Sequence, residues 1–365
     1  MPETHVTRRA ALRELLRTAE LDALLLTDLR NIRYLTGFTG SNAVLVVAAD
    51  GDATTVLCTD GRYLTQSERQ VPELERIIDR GSDRALIARM ANDASYYRRT
   101  GFESQHVTVD QLDLLIEYGP GIELVRAPGL VEELRLVKDD AEIHTLRMAC
   151  GAADRALADL LAAGGLRPGR TERAVARDLE RRMVDNGADA IAFETIVAFG
   201  PNSAIPHHEP TDAELRVGDF VKLDFGALVD GYHSDMTRTL VLGPPADWQR
   251  DVYDLVARSQ AAGRAALAPG TEVRDVDAAA RSVIEDAGHG EEFLHGLGHG
   301  VGLEIHEAPS LSKTGAGRLA AGMTVTVEPG VYLAGRGGVR IEDTLVVRAA
   351  APELLTLTTK ELVVV

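Results

Sequence analysis

Residues 295–307 read HGLGHGVGLEIHE, with three histidines, four glycines and two glutamates in thirteen positions. His295, His299 and His306 stand four and then seven residues apart, and Gly296, Gly298, Gly300 and Gly302 alternate between them. A helix is a poor home for this stretch, because each interior glycine costs about 1 kcal/mol relative to alanine. It is therefore not the helical HExxH zinc motif, which would also need Glu at position 296, where this chain has Gly296. The pattern instead predicts an extended segment whose backbone passes close to its neighbours, which glycine permits. A lone histidine in such a segment is ordinarily a hydrogen-bonded core residue. The acids elsewhere in the chain give these histidines another role.

Working outward, the 365 residues suffice for two domains with a large core. The net charge of −17, from 56 Asp and Glu against 39 Lys and Arg, excludes nucleic acid and an anionic membrane surface as partners. Two cysteines, Cys58 and Cys150, supply neither a disulfide framework nor a cysteine zinc site. The first residues, MPETHVTRRAALRELL, contain no apolar signal core, and no run reaches membrane-spanning length. The expectation is a cytoplasmic protein.

Before residue 130, Leu12, Leu15, Leu16 and Ala19 mark an amphipathic helix over 7–19. Strands are expected at 22–28, 43–49 and 54–60, and helices at 82–94 and 108–118. This alternation predicts an α/β layer. Between the first two strands, NIRYLTGFTGSN (31–42) reads as a polar, glycine-rich loop, either a plain connection or a segment reaching a partner subunit's site. The expected domains are 1–132 and 133–365. In the second, helices are expected near 139–163, 171–186, 246–267 and 273–287, with Thr171 as an N-cap. Strands are expected at 193–200, 219–229, 323–333 and 338–347.

The second domain repeats itself. LRPGRTERAV (166–175) resembles LAPGTEVRDV (267–276), GDFVKLDFG (218–226) resembles GMTVTVEPG (322–330), and SDMTRTL (234–240) resembles IEDTLVV (341–347). The blocks keep their order, and the last two match Asp224 with Glu328 and Asp235 with Glu342. Two halves related by a pseudo-two-fold axis would bring these four carboxylates together. Four carboxylates a few Å apart cannot all stay ionised without compensating positive charge. No lysine or arginine cluster is spaced to neutralise them, whereas two divalent metal ions would be. Oxygen ligands with one imidazole suit Mn²⁺, Co²⁺ or Zn²⁺, and His299 is the expected fifth ligand.

These motifs resemble the creatinase/aminopeptidase P/prolidase family of pita-bread metallopeptidases, in particular bacterial Xaa-Pro peptidases. NIRYLTGFTGSNAVLVV is similar to the family's first domain, and LDFGALVDGYHSDMTRT, HGLGHGVGLEIHE, VEPGVY and VRIEDT are similar to its catalytic motifs. The resemblance implies an α/β N-terminal domain followed by an α+β pita-bread catalytic domain. It implies that Asp224, Asp235, His299, Glu328 and Glu342 hold two metal ions, Mn²⁺ with Co²⁺ or Zn²⁺ as alternatives, and that Asp235 and Glu342 bridge them. A metal-bridging hydroxide would then cleave the Xaa-Pro bond at peptide N-termini. The resemblance further implies roles for His207 (with His208 as the alternative register), His295, His306 and Arg340, and a proton shuttle at Glu328. It implies a homodimer acting on small peptides with proline second. It spans both Xaa-Pro aminopeptidases and dipeptidases. Arg336, in the loop GRGG (335–338), is the candidate for reading a dipeptide's free carboxylate, against the alternative of a plain solvent-exposed charge.

Rival readings fare worse. Asp224-Phe225-Gly226 matches the kinase DFG triplet, but the phosphate loop G-x-G-x-x-G and the HRD triplet are missing. A methionine aminopeptidase has no need of the first 130 residues. A metal-free binding protein on the same fold would be expected to lose ligands, and all five are present.

Overall fold

The structure is a computed structural model and describes residues 2–365. The chain forms two compact units, one ending at Arg135 and the other spanning Leu136–Val365. The helix Leu130–Arg135 runs across the expected boundary at 132/133 and belongs whole to the first unit.

The first unit is a six-stranded mixed sheet in the order 75–78, 56–59, 43–48, 23–26, 99–102, 123–126. Its middle is apolar on both faces, with Leu24, Leu25, Val44, Val46 and Leu57 all buried. The helices Pro2–Thr18, Ser82–Asn92 and Val109–Tyr118 match the expected ones. The stretch 31–42 differs from expectation. Its first part lies in a helix, Leu29–Thr36, that Asp28 caps by accepting from the Arg30 N–H and that Gly37 ends at φ 76°. Ile32 and Leu35 are buried along one face, so local apolar spacing outweighed the polar composition.

The second unit shows the repeat as a fold. In its first half the helices Asp140–Ala162 and Glu172–Asp185 cover the sheet formed by Met236–Val241, Phe220–Phe225 and Ile196–Phe199. In its second half Asp247–Ala265 and Val273–Asp286 cover a five-stranded sheet that contains Thr324–Val327 beside Asp343–Val346. In each half one acid lies at the end of a strand and the other just before its antiparallel neighbour: Asp224 next to last in Phe220–Phe225 and Asp235 just before Met236, then Glu328 just after Val327 and Glu342 just before Asp343. The halves cross-link reciprocally. Thr237, two residues past Asp235, donates its hydroxyl to Glu342 at 2.7 Å, and Thr344, two residues past Glu342, donates to the Asp235 carbonyl at 2.8 Å. This is the pita-bread architecture with its internal pseudo-two-fold repeat.

The glycines of 295–302 have a simple cause. Gly298–Gly300 is a short strand held between Glu307–Leu311 and Thr324–Val327. A Cβ at Gly298 would lie 2.1 Å from the Thr326 carbonyl oxygen, and one at Gly300 would lie 2.0 Å from that of Ala308. Only glycine lets the two neighbouring backbones come this near.

Candidate metal centre

The four acids and four histidines face one cavity of about 410 Å³, which Asp224, Asp235, His299, Glu328 and Glu342 line together with His207, His208, His306 and Arg340. One oxygen each of Asp235 and Glu342 and one nitrogen of His299 lie within 4.8 Å of one another. The His299 ring is oriented by its own backbone. Nδ1 lies 3.0 Å from the Gly300 carbonyl and must donate to it. Nε2 then keeps its lone pair and faces Glu328 at 3.4 Å and Asp235 at 3.6 Å. Burial lowers the pKa of this imidazole to about 4.

The acids repel one another. Burial, then the charges of Glu342, Asp224 and Glu328, raise Asp235 well above the usual carboxylate range. Burial and Glu342 do the same to Glu328, and burial with Asp224 pushes Glu342 up to about 8. One cation answers them directly. Arg340 is buried, pairs with Asp224, and donates to Thr237 Oγ1 at 2.9 Å, the Tyr332 hydroxyl at 2.9 Å and the Pro206 carbonyl at 3.2 Å. Even so, Asp224 Oδ1 is buried with no hydrogen-bond partner among the described residues. An orphaned carboxylate oxygen, mutually repelling acids and an imidazole with its lone pair turned inward are what a divalent-cation site requires. The residues fit such a group.

The remaining expected residues divide. His306 is exposed at the cavity and meets His299 edge-on, with ring centroids 4.4 Å apart. His207 is exposed to the cavity, and no described residue hydrogen-bonds its ring. Burial, then the nearby Arg340, lowers its pKa. His208 borders the cavity too, but it is buried and its Nε2 is engaged by Glu172 at 2.8 Å. His295 does not line the cavity. Its Nδ1 donates to the Gly296 carbonyl, so Nε2 accepts from the Tyr332 hydroxyl at 2.8 Å, behind Arg340. Arg336 stacks over the Trp248 ring at 4.1 Å and is not among the lining residues.

Sequence reading missed four members of this neighbourhood. Tyr332 links His295 to Arg340. Thr237 touches both Arg340 and Glu342. Lys222 is fully buried and gives its ammonium to the carbonyls of Ile205 at 2.5 Å and Pro206 at 3.3 Å. Glu172, also fully buried, binds His208. Only Lys222 left a sequence signal, as a cation inside an apolar strand.

Paired halves that enclose buried acids and an inward imidazole define a metallopeptidase of the pita-bread class. The chain belongs to metallopeptidase family M24, whose model matches residues 144–349, and it carries the creatinase/prolidase N-terminal domain over residues 8–137. It is 40% identical over 355 residues to the uncharacterized peptidase YqhT of Bacillus subtilis, covering 97% of this chain and 98% of that one. Among solved structures, the Xaa-Pro dipeptidase from Bacillus anthracis is 37% identical, with a TM-score of 0.93 over 99% of this chain and 100% of that one. The X-Pro aminopeptidase from Thermotoga maritima is 31% identical, with a TM-score of 0.88 over 98% and 99% of the two chains.

Proposed function

We propose that this hydrolase cleaves the Xaa-Pro bond at peptide N-termini, acting as an Xaa-Pro aminopeptidase that also splits Xaa-Pro dipeptides. The observation that carries the reading is the lining of the cavity: acids, histidines and apolar Phe193, Ile196 and Ile305, with no uncommitted lysine or arginine among the described residues. A dipeptide's free carboxylate finds no dedicated cation there, because Arg340 is bound to Asp224, Thr237, Tyr332 and Pro206. A chain continuing past proline needs none.

Asp224, Asp235, His299, Glu328 and Glu342 would hold two divalent ions, with Mn²⁺ the first choice. Bound there, the ions supply the positive charge that polarises the scissile carbonyl and lowers the pKa of water. The protein supplies the rest. Glu328 accepts the proton of the attacking water on a carboxylate oxygen and returns it to the leaving proline nitrogen. That nitrogen carries no N–H of its own, so the returned proton is what lets it leave. His207 and His306, on the open side of the cavity, donate N–H to the oxygen that becomes negative in the transition state. Arg340 holds the Asp224 carboxylate in place through their ion pair. His295 acts at a distance, through Tyr332. Phe193, Ile196 and Ile305 offer the proline ring an apolar wall.

A strict dipeptidase is the second reading, and the similarity to the Xaa-Pro dipeptidase from Bacillus anthracis favours it. The test compares kcat/KM on Ala-Pro and Ala-Pro-Ala in the Mn²⁺-loaded enzyme. Comparable rates on the two peptides are expected. Turnover of Ala-Pro alone would overturn the aminopeptidase reading. A cytoplasmic homodimer completes the proposal, and light scattering tests the dimer. No described helix is long and apolar enough to cross a membrane.

A further inference from the structure

The loop that carries His207 is held from both sides by buried charged groups. Glu172, the first residue of the helix Glu172–Asp185, has no exposed surface, yet its carboxylate accepts five hydrogen bonds. Oε1 takes the Phe199 N–H and the Asn202 amide, each at 2.9 Å. Oε2 takes His208 Nε2 at 2.8 Å, the Thr211 N–H at 2.9 Å and the Thr211 hydroxyl at 2.6 Å. Every donor lies in 199–211, on either side of His207. Burial alone would raise this carboxyl, but the bonds from Thr211, Asn202, His208 and Phe199 outweigh it and lower its pKa. On the other side of the loop, Lys222 binds the two carbonyls immediately before His207.

The internal repeat supplies a control within the same molecule. The helices Glu172–Asp185 and Val273–Asp286 are counterparts. The residue before each, Thr171 or Glu272, forms an isolated bridge, to Glu214 and to Arg318 respectively. The counterpart of Glu172 is therefore Val273, an aliphatic side chain with no exposed surface. The fold itself is thus satisfied by a valine here, and burying a charge in its place costs free energy unless its hydrogen bonds return it. In the second half the segment at this point contains Gly315 and Gly317, and Val273 meets it only through its own N–H to the Gly317 carbonyl and its methyl packing against Gly315. The counterpart of Lys222 is Thr326, whose hydroxyl accepts the backbone N–H of His299 at 3.1 Å. In both halves, then, the residue two before the strand-ending acid holds a histidine-bearing segment.

We infer that Glu172, assisted by Lys222, is a positioning residue for His207: it fixes the 199–211 loop so that the His207 imidazole, which no described residue hydrogen-bonds, stands over the cavity. The inference rests on the role given to His207 above. A misplacement of about 1 Å in such a group can cost about 10²-fold in rate.

The experiment is a double-mutant cycle in the Mn²⁺-loaded enzyme, using Glu172→Val, Glu172→Gln, His207→Ala and the two Glu172/His207 double variants. Metal content and hydrogen exchange are measured alongside kcat on Ala-Pro-Ala. Glu172→Val should lower kcat by about 10²-fold, and Glu172→Gln by less, both with metal content kept. In the His207→Ala background neither change should lower kcat by more than about twofold, since residues acting as a unit are not additive. Amides of 199–211 should exchange faster in both single Glu172 variants while the strand Phe220–Phe225 keeps its protection. If Glu172→Val does not fold, Glu172→Gln, which keeps the shape, carries the cycle. The same kcat loss in both backgrounds, or unchanged exchange over 199–211, overturns the inference while leaving His207 its role. A wild-type kcat in His207→Ala removes that role and the inference with it.

Discussion

Thr237→Val isolates one bond that holds a ligand of the candidate metal centre. The change conserves volume and removes a hydroxyl that makes two buried contacts, donating to Glu342 Oε2 at 2.7 Å and accepting from Arg340 Nε at 2.9 Å. A hydrogen bond to a charged group contributes about 1.5–3 kcal/mol, and about 1.4 kcal/mol is a factor of ten. Loss of the Glu342 contact should therefore weaken divalent-ion binding by about 10–150-fold, similar to the loss seen when partners behind metal ligands are removed. The pseudo-symmetric Thr344→Val is the comparison. Its hydroxyl reaches the neutral carbonyl of Asp235 at 2.8 Å and not a carboxylate. A neutral bond contributes about 1 kcal/mol, so this change should weaken binding by only about fivefold. The assay is calorimetric titration of the chelator-stripped proteins with Mn²⁺. Wild-type affinity in Thr237→Val, or an equal loss in both variants, would show that the hydroxyl does not position Glu342.

Further outcomes follow from the same geometry. Chelation should abolish peptidase activity and Mn²⁺ or Co²⁺ restore it, with Asp235→Asn unable to recover at the same ion concentration; full activity in protein free of metal by elemental analysis would end the dinuclear reading. His207→Ala and His306→Ala should lower kcat with metal content kept, whereas His299→Ala should lose metal, because its Nε2 alone among the three faces Asp235 and Glu328. Equal metal loss in all three would refute that division. In the first unit, burial would raise Asp52, but Arg9 and Arg13 outweigh it and hold its carboxyl below the usual range. A depressed carboxyl adds stability above its unfolded pKa of about 3.9 that is lost as pH falls through the lower folded value. Wild type should therefore be more stable than Asp52→Asn at neutral pH, and denaturant titrations should show the gap narrowing only below about pH 3.9.

Much of this protein was determined by its sequence. The paired blocks around Asp224, Asp235, Glu328 and Glu342 placed one acid at each critical strand end, because strand periodicity and glycine spacing are local properties written in contiguous residues. The strands 75–78 and 123–126 escaped notice because they are short and partly exposed, so they lack the apolar run that marks the middle of the sheet. The stretch 31–42 was misread because its glycines and asparagines hid the capped helix Leu29–Thr36. Only the tertiary structure decided which groups stand behind the acids. His207 and His208 are neighbours in sequence, and what separates them is Glu172, 36 positions before His208, which occupies one ring and leaves the other open. His295 looks like its companions in HGLGHGVGLEIHE, yet Tyr332 turns it away from the cavity. Hydrogen bonds between buried groups are satisfied by whatever the fold brings within about 3 Å, and no local pattern records which distant residue that will be.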